Sequence, residues 1–150
     1  MTILIIQLVG AAGAWLFAKL SSKKGNRFAL ILMLVVWCGV CVSAYFITTE
    51  YEFYTLAAVV GMIMGGIQSL SRATYSKLIP EGTEDTASYF SFYDVVFNVS
   101  IVVGTFSYGL IDQLTGSMRN SALFLTVYFV VGIILLLKVN SKDIGARAAV

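Results

Sequence analysis

Asp94 is the residue in this chain best placed to do chemistry. It lies seven residues into the apolar run that starts at Ala87, and no other acid sits well inside an apolar segment. An ionised carboxylate at the centre of a membrane helix costs about 2.5–3.5 kcal/mol on insertion scales, so Asp94 is expected to face protein or water and not hydrocarbon. Asn98 follows one helical turn later on the same face, and Tyr93 is adjacent. On the preceding apolar run, Gln68 and Arg72 lie four apart and share one side of a helix. A carboxylate, a guanidinium, two amides and a phenol make a set suited to holding a polar solute or an ion in transit. Asp94, Asn98, Tyr93, Gln68 and Arg72 are therefore the candidate substrate or ion pathway, with no catalytic and no metal residues expected. A plainer reading stands beside it: Asp94 near enough to the surface to meet interfacial water or Arg72, and Arg72 snorkelling to the headgroups.

Other reactive-looking residues do not extend this list. Cys38-Gly39-Val40-Cys41 has the spacing of a redox dithiol, but a reactive pair needs a thiol pKa lowered by a helix N-terminus or a basic neighbour. These cysteines lie mid-run with no charge near, which is the setting of small buried apolar residues. The chain has no His, no metal-ligand cluster, no nucleophile with a base in reach and no phosphate loop, so neither an enzyme nor a cofactor is expected. The basic residues are spread along the chain and do not make a nucleic-acid surface.

Elements that could hold such a site are dictated by composition. The chain is 59% hydrophobic and 12% charged, against roughly 25% charged in soluble domains. Continuous apolar runs replace the period-two alternation of a barrel strand. An all-α, polytopic helical membrane protein follows, forming one helical domain over 1–150 with five spans near 2–20, 28–47, 54–70, 87–111 and 121–137. Gly10, Ala11, Ala12, Gly13 and Ala14 in the first span, and Gly61 and Gly65 in the third, are small-residue faces on which helix backbones can come close. Tyr45, Phe46, Tyr51, Phe53 and Tyr54 crowd the second connection like an interfacial belt. In the third connection, Thr83 is the expected N-cap of the fourth helix, with Glu84 and Asp85 in its first turn.

Placement of charge orients the spans. Nine of the ten basic residues fall on one side, in the first connection, the third connection and the C-terminal tail, while Arg119 alone falls on the other. The positive-inside rule puts that side, and the C-terminus, in the cytoplasm. No basic n-region or cleavage site precedes the first span. Met1 therefore reads either as the start of a helix that acts as its own insertion signal or as an internal start in a longer gene.

The stretch from Gly65 to Asp94 carries a resemblance. Gly65, Gly66, Gln68, Ser71, Arg72, Ile79, Pro80, Phe92, Tyr93 and Asp94 occur in the order seen between the tenth and eleventh helices of major facilitator superfamily transporters. The branch it resembles is the one related to the vacuolar amino-acid effluxers of yeast autophagy. On the superfamily's signature loop, Gly13, Gly25 and Arg27 match the first glycine, the second glycine and the closing basic residue, while Ser22 stands where an Asp is usual. The resemblance implies that the five spans correspond to helices eight to twelve, a partial C-terminal half. Its expected partners are the lipid bilayer, the missing N-terminal helices or a partner chain, and a small polar solute, with no nucleic acid. The expected function is that of the C-terminal portion of an alternating-access carrier, inactive alone. The alternative is a small membrane module that binds other helices through its glycine faces.

Overall fold

The computed structural model describes residues 2–80 and 82–139, with side chains described from Leu8 onward. Five helices follow one another: α1 (Thr2–Lys24), α2 (Asn26–Phe46), α3 (Glu50–Ser76), α4 (Thr86–Thr115) and α5 (Met118–Lys138). No strand occurs among the described residues. Four of them, α2 to α5, are long and apolar enough to cross a membrane by length and composition. At 1.5 Å per residue, the 23 residues of α1 reach about 34 Å. The chain is a polytopic helical membrane protein.

Every helix runs past its apolar segment, so the connections are shorter than the polar stretches of the sequence. The break between α1 and α2 is Gly25 alone, at φ 87°, a backbone that side-chain-bearing residues rarely adopt. Ser21 to Lys24, expected in a loop, are helical. Glu50 opens α3 under a capping box: the Thr49 hydroxyl accepts from Glu52 N–H, and the Glu52 carboxylate accepts from Thr49 N–H. Asp112 and Thr115, expected in a turn, close α4, which ends on left-handed Gly116. Polar groups extend these helices because each added turn satisfies backbone groups that the bilayer would leave unpaired.

One cap is corrected. Asp85, not Thr83, caps α4: its carboxylate accepts from the Ser88 N–H at 3.2 Å and from the Ser88 hydroxyl. The Thr83 hydroxyl donates instead to the Pro80 carbonyl oxygen at 2.7 Å. A carboxylate offers two oxygens to the first turn where a hydroxyl offers one, and it also faces the positive end of the helix.

Packing centres on α3. The helix lies against α1 and α2, α2 continues onto α5, and α5 carries α4 at the outer edge. Phe17, Ala29, Leu30, Met33, Val40, Ile63 and Leu70 form the buried cluster. The α1–α3 contact is backbone on backbone. A Cβ at Gly13 would lie 2.7 Å from the Met62 carbonyl carbon, and one at Gly65 would lie 2.7 Å from that of Gly10. The two small-residue faces expected from sequence are thus each other's partners.

Two arginines tie α2 to α5 at opposite ends. Arg27 donates to the Leu137 carbonyl oxygen at 2.6 Å, and Arg119 donates to those of Ile47 at 2.9 Å and Tyr45 at 3.4 Å. Each guanidinium covers carbonyls left open at the partner's C-terminal end, where the helix dipole favours a cation.

Two outcomes are expected. Gly13→Leu and Gly65→Val should each lower stability by about 3 kcal/mol or more, because backbone and not a flexible side chain must give way. Gly39→Ala, with open space around it, should be neutral or gain up to about 1 kcal/mol of helix propensity. Thermal unfolding in detergent reads both. For the cap, the Ser88 hydroxyl and then the Ser88 N–H hold the Asp85 carboxyl below the ordinary aspartate range. Its contribution is therefore present at neutral pH and lost as pH falls from the unfolded value through the lowered one. The Tm difference between wild type and Asp85→Ala should close over that acid range.

Candidate functional site

The site is built where the C-terminal half of α3 meets the start of α4. Ser71, Arg72 and Tyr75 come from α3, and Phe90, Tyr93 and Asp94 come from α4. Spacings of three and four place each trio on one helix face, so the short connection folds the two faces together. Arg72 Nη2 lies 3.5 Å from Asp94 Oδ2, the one ion pair among the described residues. The guanidinium carbon also sits 5.5 Å from the Phe90 ring centre and 6.0 Å from that of Tyr93, within cation–π range.

Aromatic residues hold this arrangement. Tyr75 packs at 5.0 Å on Tyr93 and at 6.1 Å on Phe90, while Tyr93 stacks on Phe97 at 6.3 Å. The Tyr93 hydroxyl shares a 2.5 Å hydrogen bond with that of Ser71, and the Tyr75 hydroxyl donates to the Tyr89 carbonyl oxygen at 3.0 Å. Rings and hydroxyls together fix where Arg72 and Asp94 stand, Asp94 about 12 Å along α4 from its start at 1.5 Å per residue.

Not all five residues picked from sequence meet. Arg72, Tyr93 and Asp94 do. Asn98 donates its amide to the Asp94 backbone carbonyl oxygen at 2.7 Å and so serves its own helix, not the carboxylate. Gln68 is exposed one turn before Arg72 on α3. Sequence reasoning missed Tyr75 and Phe90 as ring partners and Ser71 as the partner of Tyr93. Their signal was present: Ser71 and Tyr75 are four apart, as are Phe90 and Asp94.

Charge and exposure define what the site can do. The Arg72 and Asp94 side chains remain 55% and 50% exposed within this chain. A pair so open is worth about 0–1 kcal/mol to stability, so it does not hold the fold. No residue of α4 is buried. A charge pair on a membrane helix is costly in hydrocarbon, so this open face is not expected to lie against lipid tails.

The family described as "Vacuole effluxer Atg22 like" matches residues 1–149. The chain belongs to the Atg22-like vacuole effluxer family. Its relatives include the "Uncharacterized MFS-type transporter YxiO" of Bacillus subtilis, 32% identical over 132 residues, covering 88% of this chain and 30% of the relative. "Autophagy-related protein 22" of Cryptococcus neoformans is 40% identical over 102 residues, covering 68% of this chain and 17% of the relative. The protein of that name from Eremothecium gossypii is 30% identical over 141 residues, covering 86% and 27%. No solved structure matches. The chain therefore spans less than a third of the length of these relatives.

The Ser71–Tyr93 bond is testable by itself. Tyr93→Phe keeps the rings and removes the hydroxyl, and should cost about 1 kcal/mol. A double-mutant cycle with Ser71→Ala, followed by thermal unfolding, should give a coupling of similar size.

Proposed function

We propose that this chain is the C-terminal portion of a secondary carrier for small polar solutes, amino acids foremost, working by alternating access. The observation that carries the reading is the loose Arg72–Asp94 pair on the uncovered face of α3 and α4. A zwitterion presents the complementary charges: its carboxylate suits Arg72, and its ammonium suits Asp94 with the Tyr93 and Phe90 rings. Membership of an effluxer family and relatives described as transporters support a carrier.

In this reading the five helices are the eighth to twelfth of twelve, and α4 packs against helices that precede Met1 or belong to a partner chain. A carrier of this superfamily holds its solute at the interface of two repeats, so five helices alone do not transport. The end carrying Lys23, Lys24, Arg27 and Lys77 faces the cytoplasm, as does the C-terminus, where Lys142 and Arg147 lie outside the described residues. In place of the usual loop carboxylate, Ser22 donates to the Lys19 carbonyl oxygen at 2.8 Å and offers no charge for a latch.

The alternative of a helix-binding module is disfavoured by one observation. Gly10, Gly13, Gly61 and Gly65, the faces it would use, are occupied by each other inside the chain.

DNA upstream of the Met1 codon should continue in frame through about seven further apolar spans, or a neighbouring gene should supply them. In vesicles containing the assembled carrier, amino-acid counterflow should fall about tenfold or more in Arg72→Gln and in Asp94→Asn. Unchanged counterflow in both variants overturns the site. Saturable uptake by the 150-residue chain alone overturns the fragment reading.

A further inference from the structure

At the same end of the bundle, but between other helices, the chain forms a cavity of about 660 Å³ that the transport reading does not use. Lys24 at the end of α1, Arg27 in the first turn of α2 and Lys77 just past α3 all line it. Among the described residues the one ion pair is that of Arg72 with Asp94, so none of these three cations is paired with a described carboxylate.

The floor of the cavity is built, not incidental. Asn26 is buried together with Ser21 and Thr74. Its Oδ1 accepts from the Ser21 hydroxyl and from Lys77 Nζ at 3.3 Å, and its Nδ2 donates to Thr74 Oγ1 at 3.0 Å. Thr74 in turn donates to the Leu70 carbonyl oxygen at 2.7 Å. This chain of bonds fixes Lys77 against the start of α2. Arg27 is fixed from the far side by its bond to Leu137, which leaves its Nε buried and unpartnered. Gly25 supplies no side-chain cap, so the positive end of α2 opens on the same space.

Topology alone requires cations at this end, but not that three converge on one concavity. Lys19 and Lys23 show the contrast. Lys19 rests its ammonium 5.1 Å from the Trp15 ring centre and Lys24 rests its own 5.0 Å from that of Phe28, but Lys24 lines the cavity while Lys19 and Lys23 do not.

We infer that this cavity is a binding site for a phosphate group, with Lys24, Arg27, Lys77 and the start of α2 as its ligands. Three cationic side chains and a helix N-terminus match a phosphate's charge and its several acceptor oxygens. Phe28, Ile31 and Leu137 line the same walls. Apolar walls beside a basic head site favour a phospholipid headgroup, whose acyl chains would run along them, over a soluble phosphate.

Both sources can be separated in one experiment. The protein, as it is purified, is placed in nanodiscs of phosphatidylglycerol and phosphatidylcholine in equal parts, and bound lipid is read by native mass spectrometry. Phosphatidylglycerol should be retained about tenfold over phosphatidylcholine. Lys24→Gln and Lys77→Gln should each reduce that preference several-fold, and Lys23→Gln, the same charge change outside the cavity, should not. The Lys variants leave the Arg27 tie to α5 intact, so loss of binding is separable from loss of fold. Inorganic phosphate, titrated by calorimetry into the detergent-solubilised protein, is the second arm. Binding there that is weakened by Lys77→Gln supports a site open to free phosphate. Absence of phosphate binding with lipid preference retained supports a headgroup site. Equal retention of the two lipids with no phosphate binding, or an equal effect of Lys23→Gln, overturns the inference.

Discussion

The fold depends on two helices touching through their backbones. In a bilayer no hydrophobic force draws helix to helix, because lipid is as apolar as leucine, and association comes from close packing. Gly10 and Gly13 of α1 meet Gly61, Met62 and Gly65 of α3 at separations that leave no space for a Cβ at Gly13 or Gly65 and little at Gly10. That approach brings Phe17 and Met33 onto Gly66, and it sets α3 as the helix against which α1 and α2 are both fixed. The orientation of the candidate site face of α3 follows from the same constraint. With one side committed to α1 and α2, the Ser71–Arg72–Tyr75 side is directed toward α4.

Polar groups in this chain divide by what they satisfy. Asn26, Ser21 and Thr74 bond one another in the interior, and Arg27 and Arg119 cover carbonyls at helix ends. These are structural uses, each removing an unmet donor or acceptor that hydrocarbon would penalise. Arg72 and Asp94 differ because their bond is long and their side chains stay open. An open pair adds little stability.

Much of this was legible in the sequence, for stated physical reasons. Apolar runs gave the helices, since length and composition suffice where lipid is the solvent. Small-residue faces at Gly10–Ala14 and Gly61–Gly65 gave the contact surfaces, and the intramembrane acid gave Asp94. Helix ends were less legible. Polar residues at Ser21–Lys24 and at Asp112 looked like loops, yet they are helical, because α1 gives way only at Gly25 and α4 only at Gly116. Thr83 resembled a cap and lost to Asp85, whose two oxygens both reach Ser88.

Side-chain partnership was the least legible level. Asn98 stands one turn from Asp94, which is why it looked like a partner for the carboxylate. Position on a face does not fix where an amide donates, and here the nearest acceptor is the helix's own carbonyl. Tyr75 and Phe90, in contrast, carry no charge to draw notice, yet with Tyr93 they form the aromatic surround of Arg72. An aromatic surround around one cation beside one carboxylate presents both signs of charge and a π face within a few ångströms. Under the proposed function such a surface would discriminate by charge separation in the ligand: a lone anion would be repelled by Asp94 and a lone cation by Arg72, whereas a zwitterion could set each of its charges against the opposite one.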